Sequence, residues 1–133
     1  MDMKTAVFTY LENFLSVEGF VCYGEDLPFG NTVFSVRVSS DGFSGIGSFE
    51  CDIKDFRRFV SELREIYAFS REKAEFADIC YGNRFTFEMD RKGRLEVSGD
   101  IYYMEQELKF RFGADQSVLP HFIRALENLC EKI

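Results

Sequence analysis

The sequence predicts an α+β domain: mostly antiparallel β-sheet, built from hairpins and a meander, packed in two layers by two α-helices over about 53–67 and 118–131. Three observations carry this. Apolar and polar residues alternate from Thr32 to Val38 and from Arg84 to Met89, the two-residue period of a strand buried on one face. After Asp52 and after Ser117 the apolar spacing changes to that of an amphipathic helix. Turn-forming residues, Ser39-Ser40-Asp41-Gly42 and Asp90-Arg91-Lys92-Gly93-Arg94, separate the alternating runs at hairpin spacing. A length of 133 residues suits one domain over 1–133 with a single core.

The stretch from Thr5 to Tyr23 carries two patterns at once. Val7, Tyr10, Phe14 and Val17 keep helical spacing, yet β-forming residues are dense and Gly19 interrupts, so strand-like segments are expected. Glu25, Asp26, Pro28 and Gly30 mark a loop over Gly24–Asn31. Pairing Val38 with Phe43 across a four-residue turn places Phe43, Phe49 and Cys51 on one face and sets Gly45 and Gly47 opposite Val36 and Phe34. Glycines there leave room for neighbouring Phe rings, a helix or a bound ligand.

Asp52 is expected to cap the first helix, with Asp55 near its positive end and Ile53, Phe56, Val60, Leu63 and Ile66 as its apolar stripe. A strand around Ala74–Cys80 follows. In the next hairpin Gly93 takes the left-handed bulge position, which pairs Met89 with Leu95, Phe87 with Val97 and Phe85 with Gly99. The outer face then pairs Arg84 with Asp100, Thr86 with Ser98 and Glu88 with Glu96. A Met104–Glu107 loop aligns Ile101 with Phe110 and brings Arg111 beside Asp100. Ser117 caps the last helix, Pro120 falls in its first turn, and Val118, Phe122, Ile123, Leu126, Leu129, Cys130 and Ile133 form its apolar face.

Composition narrows the function. A net charge of -7 opposes nonspecific binding to nucleic acid or anionic membrane and favours a basic partner. Sixteen Phe and no Trp read as core filling. No stretch reaches the length of a membrane span, and the N-terminus lacks the basic flank of a signal peptide, so a cytoplasmic location is expected. Cys22, Cys51, Cys80 and Cys130 are widely spaced, with no CxxC pair, which points to free thiols instead of a metal or redox site. His121 is the one histidine, at the solvent-side edge of the last helix and roughly opposite Cys130. Gly42, Gly45 and Gly47 lead into strand residues, whereas a phosphate loop opens a helix. Glu88 and Glu96 are neighbours on a flat face and not across a cleft. Arg84, Arg94, Lys109 and Arg111 fall on the sheet face opposite Phe85 and Phe87, unlike the exposed aromatic platform that stacks RNA bases. No catalytic, cofactor-binding or metal-binding residue is assigned.

Two segments carry a family resemblance. GFSGIGSFECDIKDFRRFVSELREIY (Gly42–Tyr67) runs from an F/S/G-rich strand into a D-x-x-x-F helix, and RFTFEMDRKGRLEVSGDIYY with LKFRFGADQSVLPHFIRALENL (within Arg84–Leu129) runs from a meander into a terminal helix. Together they resemble the WapI-type immunity proteins, small bacterial partners of wall-associated contact-dependent toxins. The resemblance covers about two thirds of the chain. It implies a non-catalytic cytoplasmic protein, without cofactor, that binds and neutralises a toxin domain, and the acidic charge suits a basic one. Contact is then expected through a carboxylate-rich surface, with Glu12, Glu18, Glu25, Asp26, Glu105 and Glu107 as the candidates. Two other readings stay open: a small-ligand or regulatory domain with a Phe-lined pocket near Gly45, Gly47 and Gly99, and an enzyme using carboxylates alone.

Overall fold

The computed structural model describes residues 4–27 and 29–131. The expected roles of Pro28 in a loop and of Ile133 on a helix face lie outside the described residues. Four strands come first, β1 (Ala6–Tyr10), β2 (Asn13–Cys22), β3 (Thr32–Ser40) and β4 (Phe43–Cys51), followed by helix α1 (Ile53–Tyr67). The pattern then recurs with β5 (Lys73–Ala77), β6 (Arg84–Met89), β7 (Arg94–Tyr103), β8 (Gln106–Asp115) and helix α2 (Leu119–Glu131). The α+β class is as expected. Its strands, however, divide into two antiparallel sheets in chain order, β1-β2-β3-β4 (sheet A) and β5-β6-β7-β8 (sheet B). Each helix packs against the first strand of the other unit: α1 lies on β5, α2 lies on β1, and the two helices touch.

The N-terminal segment forms two strands, as its dense β-forming residues predict, and Val7, Tyr10, Phe14 and Val17 do not share a helix face. Gly19 sits at φ 65°, and the β2–β3 register slips between Glu18 and Val21. This bulge inserts one extra residue, so the buried apolar positions run Leu15, Val17, then Phe20.

Two hairpins are tighter than expected. Asp41 and Gly42 both have positive φ, the requirement of a two-residue turn that matches strand twist, and Ser40 pairs directly with Phe43. The register therefore shifts by two: Gly45 faces Val38 and Gly47 faces Val36, not Val36 and Phe34. Likewise Met104 at φ 57° lets Tyr103 pair with Gln106, so Ile101 faces Leu108 and Asp100 faces Lys109, instead of Phe110 and Arg111. A shift of two preserves the face of every side chain. The β6–β7 hairpin has the expected register throughout, with Gly93 at φ 84°.

Phe side chains fill the centre. Phe8 of β1 meets Phe87 of β6 edge-to-face at 5.2 Å, and Phe49 of β4 meets Phe85 of β6 at 5.5 Å, which ties the two sheets together. Phe56 and Phe59 from α1 and Phe122 from α2 complete the network. Such ring pairs contribute roughly 0.5–1.5 kcal/mol each beyond their buried area. The strand glycines let the sheets approach. Across the two sheets, a Cβ at Gly47 would lie 2.6 Å from Ile101 and one at Gly45 would lie 3.1 Å from Leu108; within sheet B, one at Gly99 would lie 2.9 Å from the ring of its paired residue Phe110. The space that a ligand pocket needed is occupied by neighbouring side chains.

Both helix starts differ in detail from the expected caps. At α1 the Ile53 N–H donates to the buried Asn31 side chain at 2.8 Å, while Asp52 accepts from the Gly30 N–H at 2.9 Å. Asn31 thus caps the helix from a distant loop, and Asp52 anchors that loop in return. Before α2 a 3-10 turn spans Gln116–Val118, and Asp115, not Ser117, supplies the capping carboxylate. The fifth strand ends at Ala77 and not at Cys80, because Asp78 takes the chain out of the sheet.

Candidate interaction surface

Strand order leaves β4 at an edge of sheet A. An open edge must be covered or blunted, and the segment 78–83 covers part of this one. The Asp78 carboxylate accepts from the backbone N–H groups of Glu50, Cys80 and Tyr81, with Cys80 at 2.9 Å. Ile79 donates its N–H to the Glu50 carbonyl at 3.1 Å. Asn83 is 1% exposed and bridges the sheets: its amide donates to the Ser48 carbonyl at 2.8 Å and accepts from the Tyr102 N–H at 2.7 Å.

These contacts line up three segments along one rim of the molecule. The Glu50 side chain lies against Gly30 of the β2–β3 loop and accepts from Cys80 Sγ at 3.2 Å. Asn83 then connects to Tyr102 near the end of β7. The rim is thus built from 23–27, 29–31, 78–83 and 102–107. Of fourteen exposed large apolar side chains among the described residues, eight fall on it: Tyr23, Leu27, Phe29, Ile79, Tyr81, Tyr102, Tyr103 and Met104. Phe29 and Met104 are 81% and 85% exposed.

The rim's charge is one-sided. Its three segments contain Glu25, Asp26, Asp78, Glu105 and Glu107 and no Lys or Arg, in a chain whose net charge is -7. Cations approach only from outside. Arg57 of α1 grips Glu25 with two contacts of 3.2 Å and holds its carboxyl below the ordinary value. Lys109 reaches Glu107 at 3.2 Å. A hydrogen bond to Glu107 pushes the Tyr102 hydroxyl up.

Of the six expected carboxylates, Glu25, Asp26, Glu105 and Glu107 belong to this rim. Glu12 does not: it lies in the β1–β2 turn, at the other end of β2 from the rim loop. Glu18 lies on the outer face of sheet A, paired with Arg37 at 3.2 Å. Sequence reasoning missed the exposed aromatics and the bridge at Asn83. The absence of Lys and Arg from all three segments was the available signal.

The other surfaces differ. On the outer face of sheet B, Asp100 pairs with Arg84 at 3.4 Å and Lys109 at 3.2 Å, and Glu96 pairs with Arg111 at 3.8 Å. A groove of about 1230 Å³ runs between the end of α1 and the β6–β7 hairpin, where Tyr10 and Phe69 meet Arg71, Arg91, Glu72 and Glu88. His121 is exposed on α2, and burial pushes the Cys51 thiol up to about 12, leaving it protonated at neutral pH. Among the described residues no group of three His, Cys, Asp or Glu is placed to hold a metal ion, and no helix is long and apolar enough to cross a membrane.

Residues 15–133 match the family described as Immunity protein WapI-like family. The fold resembles that in the crystal structures of Trypanosoma bruciei MRP1/MRP2, with a TM-score of 0.54 and 14% identity, over 96% of this chain and 83% of that one. At such identity the likeness is one of fold. No curated protein matches the sequence.

Proposed function

The chain belongs to the WapI-like immunity protein family, and from that premise we propose that it is a non-catalytic inhibitor that binds a toxin domain and neutralises it by contact. It works in the cytoplasm of the cell that makes the toxin. The single observation that carries this reading is the family match over 15–133, which takes in most of β2, the six strands after it and both helices. The charge supports it: a net of -7 suits a basic toxin domain, because complementary charge speeds encounter and disfavours wrong partners.

Co-expression tests the reading. Cells producing the toxin domain encoded immediately upstream should stop growing, and co-production of this chain should restore growth, with the two proteins purifying as one complex. Continued growth arrest, with no complex formed, would overturn the proposal.

A further inference from the structure

We propose that the rim formed by 23–27, 29–31, 78–83 and 102–107 is the toxin-facing surface, and that it fits a basic protein surface with an apolar patch set among its Lys and Arg side chains. The inference rests on the immunity reading and goes beyond it by naming the interface and the chemistry it selects.

Three independent features converge. The first is apolar exposure. Phe29, Ile79, Tyr81, Tyr102, Tyr103 and Met104 are all exposed and come from three segments that touch through Glu50 and Asn83. Aromatic residues and Met are enriched in the cores of protein interfaces, and contiguous exposed apolar patches mark interaction sites. The second is charge. Glu25, Asp26, Glu105 and Glu107 lie in the same segments as these rings, and those segments contain no Lys or Arg. A patch of one sign steers an oppositely charged partner and repels phosphate backbones, which favours a protein over a nucleic acid.

The third is rigidity. Asp78 gathers three backbone N–H groups, Asn83 pins the β7–β8 hairpin to β4, and Asp52 with Asn31 locks the β2–β3 loop to the start of α1. A surface already held in place loses little entropy on binding. The remaining surfaces lack this combination. Glu12 stands on the far turn, and Glu18 lies on the outer face of sheet A beside Arg37, a cation of the same sheet.

The test uses the full chain and a catalytically inactivated form of the toxin domain encoded immediately upstream, with dissociation constants measured at low and physiological salt. Tyr81→Ala should weaken binding about tenfold or more, as loss of an aromatic anchor does. Asp26→Lys with Glu105→Lys should slow association, most of all at low salt. Glu12→Lys should bind within about twofold of wild type, since only long-range charge changes. All the substituted residues are exposed, and circular dichroism verifies that each variant folds. Full-strength binding by both rim variants, whatever Glu12→Lys does, would overturn the rim assignment while leaving the immunity reading intact. Failure of the wild type to bind the toxin domain would overturn both. A wild-type dimer that Tyr81→Ala dissociates, without change in toxin binding, would reassign the rim to self-association.

Discussion

The rim and the outer face of sheet B are both rich in polar groups, yet they handle charge in opposite ways. On sheet B each strand offers both signs, and Asp100 and Glu96 find Arg84, Lys109 and Arg111 on neighbouring strands. That face is internally balanced. On the rim the carboxylates have no cation within their own segments, and the apolar side chains beside them stay in water. A balanced face has little to gain from a partner, whereas the rim has a one-signed set of carboxylates and unburied rings to offer. The difference lies in what each surface leaves undone.

Substitutions can sharpen this contrast, beginning with the residue that builds the rim. Asn83→Ala removes both bridging hydrogen bonds and leaves the Ser48 carbonyl and Tyr102 N–H without their partner. It should cost about 1–3 kcal/mol, from roughly 0.5–1.5 kcal/mol for each of the two lost hydrogen bonds, measured as a fall in the urea midpoint. Asn31→Ala removes the remote cap of α1 and should cost about 1–2 kcal/mol in the same measurement.

Glu25 gives a smaller, pH-dependent effect. Arg57 lowers its folded pKa, so its contribution to stability is present above the ordinary value of 4.5 and is lost as pH falls through the lowered one. Thermal melts across that acid range should show Glu25→Gln with a flatter pH dependence than wild type. On the contrasting face, Arg84→Gln should change stability by less than about 0.5–1 kcal/mol at physiological salt, because exposed ion pairs contribute little. A loss several times larger would mean that sheet B's charges are structural and would weaken the contrast.

Much of the architecture was legible in local pattern. The helix at Ile53–Tyr67 and the β6–β7 register follow from apolar period and from the turn at Asp90–Arg94, where Asp90 and Gly93 act together. The β3–β4 register is carried by Asp41-Gly42, a two-residue turn signal that a four-residue turn passes over. The β7–β8 register was less legible, because Met104 adopts a positive φ that the sequence does not demand of it. Face assignments survived because the error was two residues and not one. The division into two sheets depends on which strands the chain pairs after α1, a tertiary matter without a local signature. The candidate surface was half legible for the same reason. Acidic loops can be counted along the chain, but the contact between Glu50 and Cys80 and the bridge at Asn83 join residues far apart in sequence. Nothing local distinguishes the exposed Tyr81 and Phe29 from rings that enter the core.

Hydrogen exchange with and without the inactivated toxin domain tests the central claim most directly. Binding through the rim should slow exchange in peptides covering 23–31, 78–83 and 102–107, and leave the hairpin at Asp90–Arg94 unchanged. Protection confined to that hairpin, or to the β1–β2 turn around Glu12, with the three rim segments exchanging as in the free protein, would contradict it.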